Sequence, residues 1–484
     1  MQTADVHTCN LYSSTRWGLP AELVTDLGAR LHRFWQRFRA CFATRTRNSS
    51  LLAHDYLRAQ LTIERGRNFA NIERRLSGGD GQRLQHFMSN SPWSGAAVFE
   101  QIRREIVATP ELDEGGTLIL DECADEKAGD DSAGASRQYN GRMGQVDLCR
   151  VDTCLIYANL TRRLWTMVDG ELFLARRWFS DAYRSRREQT GIPAEREFAT
   201  KLDLGLRMIE RCRASGIRFD VVACDSLYGR DQCFRSALHA SGITYAAQIP
   251  ASTLVYVAKA TGARASMAAR GEAACEVREL ARSERTCWQR IALRYSERGL
   301  LSADFAFFRV RVGAEGRQTA STTGAEWLII RRVNEPRRYS YTLINAPTET
   351  PPDCLAEWST RRYFVERTFQ DAKDELGWAE FEARKFRAWE HHLALTAAAL
   401  WFAAQTKLEW ERECRRDIRL ALETGAPALP ALSTANIREL MRAALPLVPP
   451  TLAEAALSVV KRLVQRARSI GSRLGAQTGR IDSS

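Results

Sequence analysis

The chain predicts an α/β protein built on a mixed sheet, with a helical region before the sheet and a β-rich insert within it. Three observations carry this. Two short apolar runs, Thr117–Leu120 and Ile217–Cys224, each end on an acidic residue, as buried strands of a helix-covered sheet do. Helix signals separate the second run from its neighbours. Residues 251–340 then alternate apolar and polar without helical periodicity, the pattern of an antiparallel unit.

Composition bounds the function classes. The chain has 484 residues, 45% hydrophobic and 26% charged, an ordinary globular balance with room for several domains. Seventy Lys and Arg face 58 Asp and Glu, a net charge of +12. That excess favours a polyanionic partner, nucleic acid first. The 12 cysteines are scattered with no Cys-x-x-Cys pair, and only seven histidines are present. Neither a zinc site nor a disulfide framework is indicated. The start, Met1 to Asp5, is not a secretory leader, and the run Leu393–Ala404 is too short to span a bilayer. The expectation is a cytoplasmic protein with no membrane partner.

Residues 20–110 read as helical. Leu23, Leu27, Leu31, Phe34, Phe38 and Cys41 recur at helical spacing, with Arg30, Arg33, Arg37 and Arg39 between them. A second basic helix is expected over Tyr56–Leu76, with Arg58, Arg65, Arg67, Arg74 and Arg75. Ser77 to Gly81 breaks it. Asn90-Ser91-Pro92-Trp93 reads as a cap with proline in the first turn of a helix through Ile106. These arginines fit either a DNA-binding bundle or a scaffold with a solvated face.

From residue 111 strands take over: Thr117–Leu120, Val146–Asn159 and Leu164–Leu174, with a turn at Asn159–Arg162. A helix follows across Glu195–Ala214, then the strand Ile217–Cys224, a helix over Asp231–Ala240 and the strand Thr244–Ile249. In the insert, strands are expected at Leu254–Val257, Ile291–Tyr295, Phe305–Val312, Trp327–Val333 and Tyr339–Ile344. The domain boundaries expected are 1–110, 111–250, 251–340, 341–410 and 411–484. The last region is helical and polar. Its basic stripe of Lys461, Arg462, Arg466, Arg468, Arg473 and Arg480 is equally a DNA-contacting tail or a solvated face.

The chemistry centres on Arg361 to Lys373. Arg362, Glu366 and Lys373 lie four and seven residues apart, on one side of a helix. Val365, Phe369, Ala372 and Leu376 form an adjoining apolar stripe. Asp121 and Asp225 each follow an apolar strand, where ligands of open α/β sheets bind. Converged with Glu366 they would form an oxygen-only cluster suited to Mg²⁺ or Mn²⁺. Taken singly, each Asp reads as a turn or cap residue. Glu122 adjoins Asp121, and adjacent strand residues face opposite ways.

Four blocks give the chain a specific resemblance. Leu118 to Glu122, with Lys127, Gly129 and Arg137 to Gly141, is the first. Val222 to Gly229 is the second. Arg362-x-x-x-Glu366 with Lys373 resembles a Tyr-x2-Arg-x3-Glu-x6-Lys signature. Gly377 to Leu393, with Glu382, Arg384, Trp389 and His392, is the fourth. Tyr56 to Arg58 and Phe87 to Trp93 extend the likeness. Over roughly residues 40–405 the chain resembles the DDE transposases of bacterial insertion sequences. Two positions depart: Cys123 stands where the family has Thr, and Ser359 where it has the signature Tyr.

The resemblance implies an RNase H-like mixed sheet flanked by helices, with a β-domain inserted before the catalytic glutamate. It implies a metal-dependent endonuclease and strand transferase. Asp121, the one of the adjacent acidic pair that matches the family, would hold two Mg²⁺ ions (Mn²⁺ as substitute) with Asp225 and Glu366. Arg362 and Lys373 would contact DNA phosphates, either alternatively pairing with Glu366, Asp371 or Glu375. Arg137 and Tyr228 are further DNA-contact candidates; the segment Arg137 to Tyr139 equally fits support of the first strand. Trp358 and Trp378 fit base stacking or core, and His391 and His392 core or capping. The implied partners are double-stranded DNA, as terminal inverted repeats and target, and a second copy of the chain on DNA, in a bacterial cell at the nucleoid. Two alternatives stand beside this: an RNase H-like nuclease without strand transfer, and a catalytically silent DNA-binding descendant of a transposase.

Overall fold

The computed structural model describes residues 11–447 apart from residues 46, 128, 142, 258–273, 297–298, 314–323, 335–336 and 426–430, plus a few positions between 456 and 464. The basic stripe beyond residue 460 lies outside the described residues. Among them no helix is long and apolar enough to cross a membrane.

Twelve strands form one mixed sheet. They are β1 (Gly116–Glu126), β2 (Ser136–Asn140), β3 (Gln145–Asn159), β4 (Leu164–Phe173), β5 (Val221–Cys224), β6 (Tyr245–Gln248), β7 (Leu254–Val257), β8 (Cys275–Glu276), β9 (Gln289–Ser296), β10 (Gly299–Val312), β11 (Glu326–Asn334) and β12 (Arg337–Ile344). The order is β2-β3-β1-β5-β6-β12-β11-β10-β7-β8, with β4 also on β3 and β9 also on β10. β1, β5 and β6 run parallel, and β3 pairs antiparallel with β1. This is the α/β mixed sheet expected, consistent with an RNase H-like core. The strands of the insert add to the same sheet, because β12 pairs directly with β6.

One long helix, Phe386–Glu413, is apolar on most sides and is buried at most positions between Phe386 and Trp410, as a largely hydrophobic helix must be. The N-terminal helices wrap it. Tyr56 Oη lies 2.9 Å from His392 Nδ1, and Gln60 Nε2 donates to Thr396 at 2.9 Å. Burial holds His391 and His392 well below the ordinary imidazole range, at about 4 and about 3, so both are neutral core residues. Several arginines of the amphipathic helices also point inward or find acids. Arg30 pairs with Glu409 and Glu413, Arg33 with Asp26 at 2.7 Å, Arg37 with Glu105 at 2.7 Å, and Arg67 with Glu380 at 3.0 Å. Arg30 and Arg67 are buried in these pairs, whereas Arg33 and Arg37 stay exposed.

Three boundaries differ from expectation. The basic helix over Tyr56–Leu76 is two helices, Ser50–Thr62 and Phe69–Ser77, parted at Gly66, whose φ of +73° no helix accommodates. The helix expected from Pro92 starts at Gly95, where Ser94 accepts from Ala97 N at 3.3 Å. The helix expected from Glu195 starts at Lys201, where Thr200 and Asp203 close a capping box.

Candidate active site

β1 does not stop at its acidic pair. It continues to Glu126 because β3 is long enough to pair with it as far as Cys149. Its parallel partner β5 ends at Cys224, opposite Leu120. The next residues on the two strands, Asp121 and Asp225, therefore stand side by side where the parallel sheet opens. Asp121 is thus mid-strand, not at a strand end as expected, yet it sits at the end of the parallel pairing.

Asp225 leaves β5 in extended conformation and caps the short helix Ser226–Gly229, its Oδ1 accepting from Leu227 N at 2.9 Å. That turn must lie close to β6. A Cβ on Gly229 would be 1.8 Å from the Gln248 carbonyl oxygen, so only glycine fits. Gly229→Ala should cost about 3 kcal/mol or more, because the obstacle is backbone. Urea unfolding checks this, and a loss below about 1 kcal/mol would show that the turn yields.

The Glu366 helix, Tyr363–Gln370, packs Phe364, Val365 and Thr368 into the core. Arg361 ties its start to β1, its Nη1 donating to Thr117 Oγ1 at 2.6 Å. After Gln370 the helix widens into a π-helical turn, Asp371–Glu375. Asp371 anchors that turn by accepting from Trp165 Nε1 at 3.0 Å and Thr434 Oγ1 at 2.8 Å.

Arg362 joins the acids. Its Nη2 donates to Asp121 Oδ2 at 2.7 Å and its Nη1 to Glu366 Oε1 at 3.3 Å. Burial opposes the Arg362 charge, but Asp121, Asp225 and Glu366 together hold its guanidinium above its ordinary pKa. Burial pushes the Asp121 carboxyl up to about 7, with Arg362 pulling it down and Asp225 pushing it further up. The three carboxylates thus act on one cation. Asp121 is buried, whereas the Glu366 side chain is 61% exposed.

Glu122 faces away, as strand alternation requires. Tyr228 Oη donates to its Oε1 at 3.2 Å, and Lys201 Nζ lies 3.5 Å from the same atom. Burial raises the Glu122 carboxyl, opposed first by Lys201. Tyr228 is fully buried. In this conformation it supports the β1 acids and offers DNA no surface.

The other residues singled out by sequence make their contacts elsewhere. The π turn carries Lys373 to Cys123, whose thiol burial raises to about 11 with Lys373 acting against it. Both line a cavity of about 220 Å³ with Asp125, Arg150, Asp152 and Trp378. Ser359 is buried, its Oγ donating to Ala356 O at 2.7 Å. Arg137 is exposed on the edge strand β2. Trp378 is buried, and Trp358 packs half-buried against the second core cluster.

Two residues of the site escaped sequence reasoning. Arg294 of β9 stacks on Tyr363 and Phe364, 4.5 and 4.7 Å from their ring centroids. Arg331 of β11, lowered in pKa by burial, feels the charge of Glu366. Both come from the insert, and only the β12–β6 junction brings them to the helix. No local motif marks them.

As they stand, no group of three or more His, Cys, Asp or Glu among the described residues is disposed to hold a metal ion. The guanidinium of Arg362 lies between Asp121 and Glu366, where a cation would bind them. The donor set is nonetheless the all-oxygen kind that hard divalent ions take.

The chain is 24% identical over 305 residues to a probable transposase for insertion sequence element IS701 from Microchaete diplosiphon, covering 62% of this chain and 68% of that protein. The family model described as DDE superfamily endonuclease matches residues 37–304, more than half the chain. That span holds Asp121 and Asp225, the pair that the β1–β5 register sets side by side, and the chain belongs to the DDE superfamily endonucleases.

Proposed function

We propose that the chain is a transposase that cuts DNA at insertion-sequence ends and joins the freed 3′-hydroxyl to target DNA. The observation that supports this best is the convergence of Asp121, Asp225 and Glu366 on the single guanidinium of Arg362. In this reading Asp121, Asp225 and Glu366 would hold two Mg²⁺ ions, with Mn²⁺ as a substitute. Bound there, such ions polarise the scissile phosphate and supply a nucleophilic oxygen at neutral pH.

The chain's own residues do the rest. Arg362 leaves Asp121 for a DNA phosphate, for which its planar fork is suited. Arg294, Arg331 and Lys373 surround the approach with positive charge. Asp121, freed of its proton and of Arg362, would be one of the carboxylates that hold the ion. Tyr228 and Lys201 keep Glu122 turned away, so that the adjacent carboxylate does not compete. The substrates are double-stranded terminal inverted repeats and target DNA, and synapsis of two ends calls for two copies of the chain. The same reading keeps the boundaries at residues 110, 250, 340 and 410.

The test is a pre-cut transposon end offered with supercoiled target in Mg²⁺. Joined product is expected from the wild type. Cleavage of uncut ends without any joining would sink the transferase and leave a nuclease of the same fold. Binding without either reaction would leave a DNA-binding protein.

A further inference from the structure

A second cavity, of about 530 Å³, lies at the other end of the sheet. That volume is in the range of small-ligand sites. Its floor is the turn after β3. Asn159 pairs with Gly116, five residues before Asp121, so the turn is on the order of 17 Å along β1 from the acids.

The lining is unbalanced. Arg162, Arg163, Lys407, Arg415 and Arg416 face one carboxylate among the lining residues, Glu411. Two indoles, Trp17 and Trp410, also line it. Trp410 is 2% exposed, and its Nε1 has no hydrogen-bond partner. A buried donor left unmade costs about 1–3 kcal/mol, which a ligand acceptor would relieve. Lys407 is 8% exposed. Its Nζ lies 4.9 Å from the Trp165 ring centroid, and no ion pair joins it to a carboxylate among the described residues. Among the described residues Arg163 is the non-glycine residue with positive φ, +49°, a strained conformation of the kind found at ligand clamps.

We propose that this cavity binds a nucleotide unit of DNA, the half-buried Trp17 taking the base, Trp410 offering its indole N–H, and the cations holding its phosphates, at a site distinct from the acidic centre. Base–aromatic stacking and phosphate pairing are the two contacts by which proteins hold single nucleotides without reading sequence, and both chemistries line this cavity. The inference rests on DNA being the substrate. It adds a second point of attachment on the far side of the sheet, through which a strand running over the molecule would be gripped away from the cut.

The test uses the full chain and a fluorescein-labelled duplex of random sequence, read by anisotropy across a salt series. Arg162→Glu with Arg415→Glu reverses two exposed rim charges, and an unchanged urea midpoint checks that the fold is kept. The control is Arg184→Glu with Arg213→Glu, equally exposed and remote. The rim pair is expected to bind at least about tenfold more weakly than the control and to flatten the log–log salt slope by about 2 relative to it. Equal behaviour of the two pairs overturns the proposal.

Quenching of tryptophan fluorescence by deoxyadenosine monophosphate then identifies the source of the nucleotide. Quenching lost in the rim pair means that free nucleotides also enter, while quenching by duplex alone means that only a strand does. Both support the site. Quenching by the free nucleotide without any effect on duplex binding overturns its role in holding DNA. The outcome is separable from the proposed activity. If Glu366→Gln abolishes cleavage while the rim pair binds like the control, this site is lost and the transposase reading kept; the reverse pattern does the opposite.

Discussion

Glu366→Gln is expected to abolish Mg²⁺-dependent cleavage at the repeat end, by about 10³-fold or more, while DNA binding and stability stay at wild-type levels. The rate follows from what the carboxylate would supply. A ligand to a catalytic cation contributes several kcal/mol of charge stabilisation in the transition state, and each 1.36 kcal/mol is tenfold in rate. The unchanged stability follows from the structure. The Glu366 side chain is 61% exposed and its ion pair to Arg362 is 3.3 Å long. Exposed pairs are worth little, and Gln is close to isosteric.

Glu366 is a cleaner probe than Asp121, whose carboxylate is buried and bonded to Arg362, so that its loss would confound folding with chemistry. Chelation of the divalent ion should reproduce the loss in the wild type. Repeat-end cleavage by Glu366→Gln within tenfold of wild type would take Glu366 out of the chemistry.

Much of this site was legible in the sequence, and the reason is local. An apolar strand ending on an acid, twice, and a helix with one charged and one apolar face are patterns of period two and 3.6. They brought Asp121, Asp225, Arg362 and Glu366 forward as candidates, each with a bland reading beside it, and the resemblance to a family chose among those readings. Of the expected apolar stripe, Val365, Ala372 and Leu376 are buried and Phe369 is half-buried.

What failed was whatever depended on partners distant in sequence. β1 runs past Asp121 because β3 happens to be long. β2, with the polar sequence Ser-Arg-Gln-Tyr-Asn, is a strand only because β3 offers it an edge. Lys373 was placed on the Glu366 face by a 3.6-residue period, but the helix changes pitch at Asp371, held there by Trp165 and Thr434. Arg294 and Arg331 reach the site only through the β12–β6 pairing, which no window of sequence contains. The arginines of the N-terminal helices read as a patch in sequence because their acids, Glu105, Glu380, Glu409 and Glu413, lie on other elements.

Removing the guanidinium tests whether it stands in for a cation. In Arg362→Ala, Asp121 keeps its burial and loses the group that most opposes its rise above the carboxylate range. Its folded pKa, about 7 in the wild type, must climb further. A carboxyl raised in the fold binds its proton more tightly there than in the unfolded chain, so its cost is absent at low pH and grows as pH rises. In the wild type that cost levels off near pH 7. In the variant it keeps growing, by up to about 1.4 kcal/mol per pH unit.

The two proteins should therefore be equally stable near pH 6 and diverge above pH 7, by about 3 kcal/mol at pH 9. Saturating Mg²⁺ should close most of that gap, because a cation bound by Asp121, Asp225 and Glu366 replaces the missing charge. Urea unfolding at the two pH values, with and without Mg²⁺, separates the possibilities. A deficit already present at pH 6 would assign Arg362 to packing. A deficit at pH 9 that Mg²⁺ leaves untouched would mean that the three acids do not bind a cation together, and the proposed centre would fall with it.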